Sequence, residues 1–191
     1  MSLLSCAAAA DLILASGSPR RRDLLTAAGL RVRVRPPRGP EIWPGGEASA
    51  AVLALARTKL QSVQAGADLH LAADTVVLLD EEPLGKPADR AAAAVTLGRL
   101  AGRWHRVLTG FIVARGSRQV AHCITTHVRL RRLRPAEIDA YVATGESLDK
   151  AGAYGIQGLG GALVDRLDGS YTNVVGLPLA EVLVALHSLA A

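Results

Sequence analysis

A chain of 191 residues, half of them hydrophobic, is long enough to bury a sizeable core, and it reads as one domain over residues 1–191. Aromatic residues make up only 3% of it, too few for the stacking platforms of a single-strand nucleic-acid binder, and a net charge of +5 is mild. No uninterrupted apolar run approaches the ~18 to 20 residues that cross a bilayer, so the reading is a cytoplasmic protein with no nucleic-acid or membrane partner.

Residues 1–10 read as a frayed tail. Leu3-Leu4-Ser5-Cys6 faintly resembles a lipoprotein cleavage site, but no basic segment precedes it and there is no room for an apolar segment of the usual length. Cys6 and Cys123 are the two cysteines, and neither lies in a CxxC or near a histidine at ligand spacing. A structural zinc site and a disulfide framework are therefore not expected.

The first strand signal is the run Asp11 to Leu14, followed by Ala15-Ser16-Gly17-Ser18-Pro19-Arg20-Arg21-Arg22. This is a small-residue loop entering a helix, with Ser18 as cap and Pro19 at the first helical position. The first N–H groups of a helix lack intrahelical acceptors, and arginines there oppose the helix dipole, so the segment favours a bound anion such as phosphate. A capped helix with solvated arginines is the alternative. Gly29 closes the helix, and Val32 and Val34 alternate with arginines as a second strand.

Residues 36–46, with four prolines and three glycines, form a loop long enough to have a task. Glu47 to Gln64 is an Ala/Leu-rich helix. It carries Arg57 and Lys59, two residues apart and so on different faces; one can point inward while the other is solvated. His70 to Leu79 is a strand, Asp80-Glu81-Glu82-Pro83 a turn, and Ala88 to Leu100 a helix. Trp104 to Ala114 and Val120 to Leu130 are two long strands forming a hairpin around Gly116-Ser117. Pro135 to Ala143 is a helix ended near Gly145. A glycine-rich section from Gly152 to Gly161 leads to a strand at Ala162 to Leu167, and a helix from about Pro178 to Leu189 closes the chain. Arginines at 31, 33, 35 and 38 and at 129, 131, 132 and 134 read as wet strand faces. Strands alternating with helices imply an α/β protein with a mixed, twisted sheet flanked by helices.

Several positions could carry chemistry. Asp74 interrupts the apolar strand Leu71-Ala72-Ala73-Asp74-Thr75-Val76-Val77-Leu78. Buried there it needs a metal, a lysine or a strong hydrogen-bond donor; the alternative is a strand end where it caps a turn. Leu84-Gly85-Lys86-Pro87 places a lysine in a rigid turn. His105, in Trp104-His105-Arg106-Val107-Leu108-Thr109-Gly110, is read as a hydrogen-bonded structural histidine ahead of a catalyst. The cluster from Arg103 to Arg106 fits either a ligand-facing wall or an interface. Two glycine-rich blocks, residues 145–158 and 169–178, interleave Gln, Tyr, Asn and Lys with glycine, as loops do when their backbone approaches a ligand.

In order, LASGSPRRR, ARTK, ADTVV, LGKP, GRWHRVLTG, GESLDKAGAYGIQG and GSYTNVVGLP resemble the Maf family of nucleotide pyrophosphatases, the septum-formation-inhibitor proteins, over Leu12 to Leu186. The resemblance implies two lobes around a deep cleft, related to the inosine-triphosphate pyrophosphatases, and usually a homodimer. It also implies hydrolysis of a nucleoside triphosphate to the monophosphate and pyrophosphate with a divalent cation. By the same resemblance Asp74 would be the proton acceptor that activates water. Ser16, Ser18, Arg20, Arg21, Lys59 and Lys86 would bind the triphosphate, and Glu41 would join Asp74 as a metal ligand. Oxygen ligands without cysteine suit Mg²⁺, or else Mn²⁺.

Arg20, Thr75 and Gln157 match the subgroup resembling dTTP and UTP pyrophosphatases; the subgroup resembling 7-methyl-GTP pyrophosphatases has Trp, Gln and Glu there. An amide at Gln157 both donates and accepts, which suits a pyrimidine edge. The chain departs from the family at Pro40-Glu41, where two acidic residues are common, at Ser147, where proline is usual, and at Leu60, where alanine is common. A nucleotide-sensing regulator of cell division and a purine (ITP or XTP) pyrophosphatase are the alternative functions.

Overall fold

The computed structural model describes residues 11–39, 42–63 and 67–190. The expected tail at 1–10, the end of the second helix at Gln64 and the metal-ligand candidate Glu41 lie outside them.

The strand Leu12-Ile13-Leu14-Ala15 is buried throughout, as a parallel strand covered on both faces must be, and it forms β1 (Asp11–Ala15). It pairs in parallel with β2 (Arg31–Val34) on one side and β3 (Leu69–Leu79) on the other, with Leu12 opposite both Val32 and Leu69. Parallel neighbours need a crossover, and the helices α1 (Pro19–Ala27) and α2 (Ala48–Gln61) supply the two. α1 ends as Gly29 predicts. At φ +86 it lets Leu30 N–H reach Leu25 O (3.1 Å) and its own N–H reach Thr26 O (2.9 Å), satisfying carbonyls the helix leaves over. α2 starts where expected, because the Glu47 carboxylate caps it by accepting from Ser49 N–H (3.0 Å) and Ala50 N–H (2.9 Å). It stops at Gln61, three residues before the expected end.

The sheet has seven strands in the order β2-β1-β3-β5-β6-β7, with β4 (Glu82–Leu84) paired antiparallel to β3 outside that path. The expected four-residue turn after β3 is in fact two residues, Asp80 and Glu81, both at positive φ (50° and 66°), and Glu82 and Pro83 already belong to β4. The proline hid that strand; Pro83 is tolerated because β4 is short and peripheral. β5 (Trp104–Arg115) and β6 (Arg118–Leu130) form the expected hairpin around Gly116-Ser117. β7 (Val164–Asp168) pairs antiparallel with β6.

The chain divides into two compact units. The first runs through Asp74 and adds Thr109–Ile124 and the chain from Gly176. Alternate strand residues feed two separate clusters in it. Leu71, Ala73, Phe111 and Val113 pack with Leu25 of α1 and with Val182, Leu186 and Leu189 of the last helix, α6 (Leu179–Ala190). Ala72, Ile112 and Ala114 pack with Ala56 and Leu60 of α2. The second unit, Thr75–Leu108 and Thr125–Val175, builds its core from Val77, Leu79, Val107, Val128 and Leu130. Against these lie Leu97 and Leu100 of α3 (Arg90–Leu100) and Ile138, Tyr141 and Val142 of α4 (Pro135–Ala143). α3 starts two residues later than expected because Asp89 caps it, accepting from Ala92 N–H at 2.8 Å.

Two 3-10 turns (Ala151–Ala153 and Leu159–Leu163) and the five-residue α5 (Tyr171–Val175) occupy the segments read as glycine-rich loops. Arg131, Arg132 and Arg134 lie beyond β6, so of that run only Arg129 sits on a strand. Among the described residues Cys123 is a free thiol, and no helix is long and apolar enough to cross a membrane.

Candidate active site

Asp74 lies at the sixth position of the eleven-residue β3, between fully buried Ala73 and half-buried Thr75, and its own side chain is 11% exposed. The turn-cap alternative is thereby ruled out, since the carboxylate is mid-strand and enclosed. A carboxylate so placed demands a partner. Lys59 Nζ donates to Asp74 Oδ1 at 2.5 Å, from a side chain that is only 8% exposed. The two residues are fifteen apart; α2 brings Lys59 over the sheet at its last turn. Of the two cations on α2, Lys59 is therefore the inward one, while Arg57 is exposed and reaches Gln119 Oε1 at 3.4 Å.

The three arginines of the β1–α1 segment divide in the same way. Arg21 is buried; its Nε donates to Gly176 O at 2.8 Å and its Nη1 to Ser16 Oγ at 3.0 Å, which braces the loop against the chain entering α6. Ser16 is also buried and accepts from Ser18 N–H at 3.2 Å. Arg20 is half-buried, and Arg22 is exposed beside Asp23 (2.8 Å). Ser18 takes the extended backbone of a cap (φ −74, ψ 116), but its hydroxyl makes no capping bond, so the expected side-chain cap is absent and Pro19 starts the helix.

In the second unit Thr75 follows Asp74 on β3 and projects to the opposite face by strand alternation. Lys86 is exposed in the turn after β4, where Gly85 O accepts from Gly152 N–H at 3.3 Å. Gln157 is exposed in a turn of the glycine-rich segment, so that bond ties the Lys86 turn to the segment leading to Gln157.

The structure thus brings together Lys59 with Asp74, and Ser16 with Ser18 and Arg21. It revises the reading of the glycines. A Cβ on Gly158 would lie 2.4 Å from Glu146 Oε2, one on Gly155 2.5 Å from Lys150 Cε, and one on Gly160 2.6 Å from the Tyr141 hydroxyl. What the backbone approaches at these three positions is the protein's own polar side chains. Asn173 is likewise internal: its Nδ2 donates to Val107 O and to Thr126 Oγ1, both at 3.0 Å, anchoring α5 to β5 and β6. Glu146 and Tyr141 were not singled out by sequence reasoning; glycines at 155, 158 and 160 after an acidic residue were the available signal.

His105 is structural as expected. Its Nε2 lies 2.8 Å from the Tyr154 hydroxyl, the rings meet edge-on at 84°, and burial pushes its pKa down to about 4. Arg103 and Arg106 pair with Asp80 and Glu81, and Trp104 stands 6.0 Å beneath the Arg129 guanidinium.

Among the described residues no cluster of three or more His, Cys, Asp or Glu could hold a metal by itself. Asp74 is the one site carboxylate within them. Its Oδ1 accepts from Lys59, and a hard divalent cation there would be held through that one carboxylate together with substrate phosphates.

The family model described as Maf-like protein matches residues 11–189. A protein of Anaeromyxobacter sp. named dTTP/UTP pyrophosphatase is 52% identical over 176 residues, covering 89% of this chain and 85% of the relative. Relatives with the same name from Moorella thermoacetica (50% over 177 residues, 90% and 91% covered) and Geobacter metallireducens (45% over 185 residues, 94% and 96% covered) align along nearly their whole length. With the Lys59–Asp74 pair and the SGSPRRR loop inside the matched span, the chain belongs to the Maf-like protein family.

Proposed function

We propose that this protein hydrolyses dTTP and UTP to the nucleoside monophosphate and pyrophosphate, as a cytoplasmic homodimer that removes such nucleotides. The observation that carries the reading is the buried Asp74 carboxylate, held by Lys59 in mid-strand, in a chain about half identical to proteins named for that activity. Phosphoryl chemistry asks chiefly for positioning and charge neutralisation, plus one group to orient and deprotonate water.

In this reading Asp74 takes a proton from the attacking water as its oxygen bonds phosphorus and the bridging P–O bond breaks, releasing pyrophosphate. Lys59 fixes the carboxylate's orientation and balances its charge. The loop of Ser16 and Ser18 receives the phosphates, with Arg20 reaching toward them. Arg21, already immobilised by Gly176 O and Ser16 Oγ, brings its charge to the same loop without further ordering. Lys86 contacts a terminal phosphate oxygen. Mg²⁺, held by Asp74 and Glu41 with phosphate oxygens, would neutralise charge developing on the leaving group. Arg20, Thr75 and Gln157 set the preference for a pyrimidine.

The test is pyrophosphate release from dTTP, UTP, CTP, ITP, XTP and 7-methyl-GTP with Mg²⁺, together with an Asp74→Asn variant. Turnover of dTTP and UTP above the rest is expected, and the variant should bind UTP but lose about 10³-fold or more in kcat, the scale on which single catalytic groups act. Release from none of the six would overturn the enzyme reading and bring the nucleotide-sensing alternative to the front, and preference for ITP or XTP would favour the purine one.

A further inference from the structure

The glycine-rich segment has a carboxylate at its centre that nothing in the reaction uses. Glu146 Oε1 accepts from the Tyr141 hydroxyl at 2.9 Å and from Gly160 N–H at 3.0 Å, while Oε2 accepts from Leu159 N–H at 2.9 Å. The Tyr141 hydroxyl in turn accepts from Gly155 N–H at 3.1 Å. These donors lie at both ends of the stretch Gly155–Gly160, and Gln157 sits exposed between them. Within the stretch, Gly158 N–H makes a long 3.3 Å bond to Gly155 O. The contacts from Glu146 and Tyr141 are shorter, and those to an ionised acceptor are roughly twice as strong as neutral ones.

Space and charge agree with this geometry. Glycine at 158 and 160 is what admits the carboxylate and the phenol, since a Cβ at either would collide with them. Burial acts to raise the Glu146 carboxyl, but the N–H donors of Gly160 and Leu159 and the Tyr141 hydroxyl outweigh it and hold the group below the usual carboxylate range. An anion is therefore built into the turn's support.

We infer that Glu146, acting with Tyr141, is a positioning residue for base recognition: it clamps both ends of the Gly155–Gly160 turn and so fixes the Gln157 amide that reads the pyrimidine. The inference rests on the proposed reading of Gln157 as the base-reading residue. An amide at 146 could accept through one oxygen only and would turn an N–H₂ toward a backbone donor, so Glu146→Gln loosens the clamp while keeping its volume.

The experiment measures kcat and KM for UTP and CTP in the wild type, Glu146→Gln, Gln157→Ala, the double variant and Tyr141→Phe. In Glu146→Gln, KM for UTP should rise about tenfold with kcat within about twofold, because binding geometry and not the reacting centre is disturbed. Its UTP-over-CTP preference should fall as it does in Gln157→Ala, with no further fall in the double variant, as expected for two groups acting through one element. Tyr141→Phe should move the same quantities in the same direction, which keeps the test open should Glu146→Gln fold poorly. If Gln157→Ala lowers the preference and neither clamp variant does, the inference is overturned while the reading of Gln157 stands. If Gln157→Ala leaves the preference untouched, the reading of Gln157 itself fails. An equal loss of kcat on both nucleotides in the clamp variants would make Glu146 merely structural.

Discussion

At the scale of single residues, the pair Lys59–Asp74 shows what a sequence can and cannot disclose. Asp74 was legible because a carboxylate within Leu71–Leu78 has no inexpensive environment. Its partner was not, since nothing in Ala56-Arg57-Thr58-Lys59 says which cation faces the sheet until the angular position of α2 on the sheet is known. The burial of Arg21 escaped for the same reason: its acceptor, Gly176 O, is 155 residues away. The energetics of a buried pair are asymmetric. Removing one partner strands the other charge at a cost of about 3 to 5 kcal/mol, whereas exchanging both for apolar groups is often neutral. Lys59→Met should therefore lower the stability read from urea unfolding by that amount with an unchanged m-value, and Lys59→Met with Asp74→Leu should recover most of it. A Lys59→Met protein as stable as the wild type would mean that another group supports Asp74.

At the scale of elements, the strands and long helices followed from periodicity, and the misses share one cause, shortness. α5 has five residues between Ser170 and Gly176, too few for a helical period, and the two 3-10 turns have none. β4 has three residues, one of them proline. How closely two elements approach is also invisible in a single segment. Gly110 in β5 decides it for α2, because a Cβ there would lie 2.9 Å from Val52 C and from Leu53 N, both backbone atoms. The helix cannot yield by rotating a side chain. Gly110→Ala must lift α2 from the sheet, at the ~1 to 3 kcal/mol typical of overpacking. Because α2 carries Lys59, the same variant should also lose kcat through Asp74. A fully stable, fully active Gly110→Ala protein would show that α2 moves without disturbing the pair.

At the scale of the whole molecule, many of the arginines are paired locally. Arg99, Arg103 and Arg106 meet Glu82, Asp80 and Glu81 around the β3–β4 turn, Arg129 meets Asp165, and Arg31 and Arg33 share Asp11. Exposed pairs of this kind contribute little stability each, so the pH response near neutrality falls to groups that are buried. His105 is the clearest of them, with a folded pKa of about 4 against 6.5 for a solvated histidine. Its folded value is depressed, so above pH 6.5 the ring is neutral in both states and costs nothing. As pH falls from 6.5 toward 4 the unfolded chain takes up a proton that the folded chain refuses. Stability is lost across that window, by at most about 3 kcal/mol, and the contribution is constant below it. The urea midpoint should thus decline between pH 6.5 and 5, before most carboxylates titrate, and His105→Gln, which keeps a polar group beside Tyr154 but cannot titrate, should flatten that decline. Equal slopes for the wild type and the variant would show that the His105–Tyr154 core opens to water.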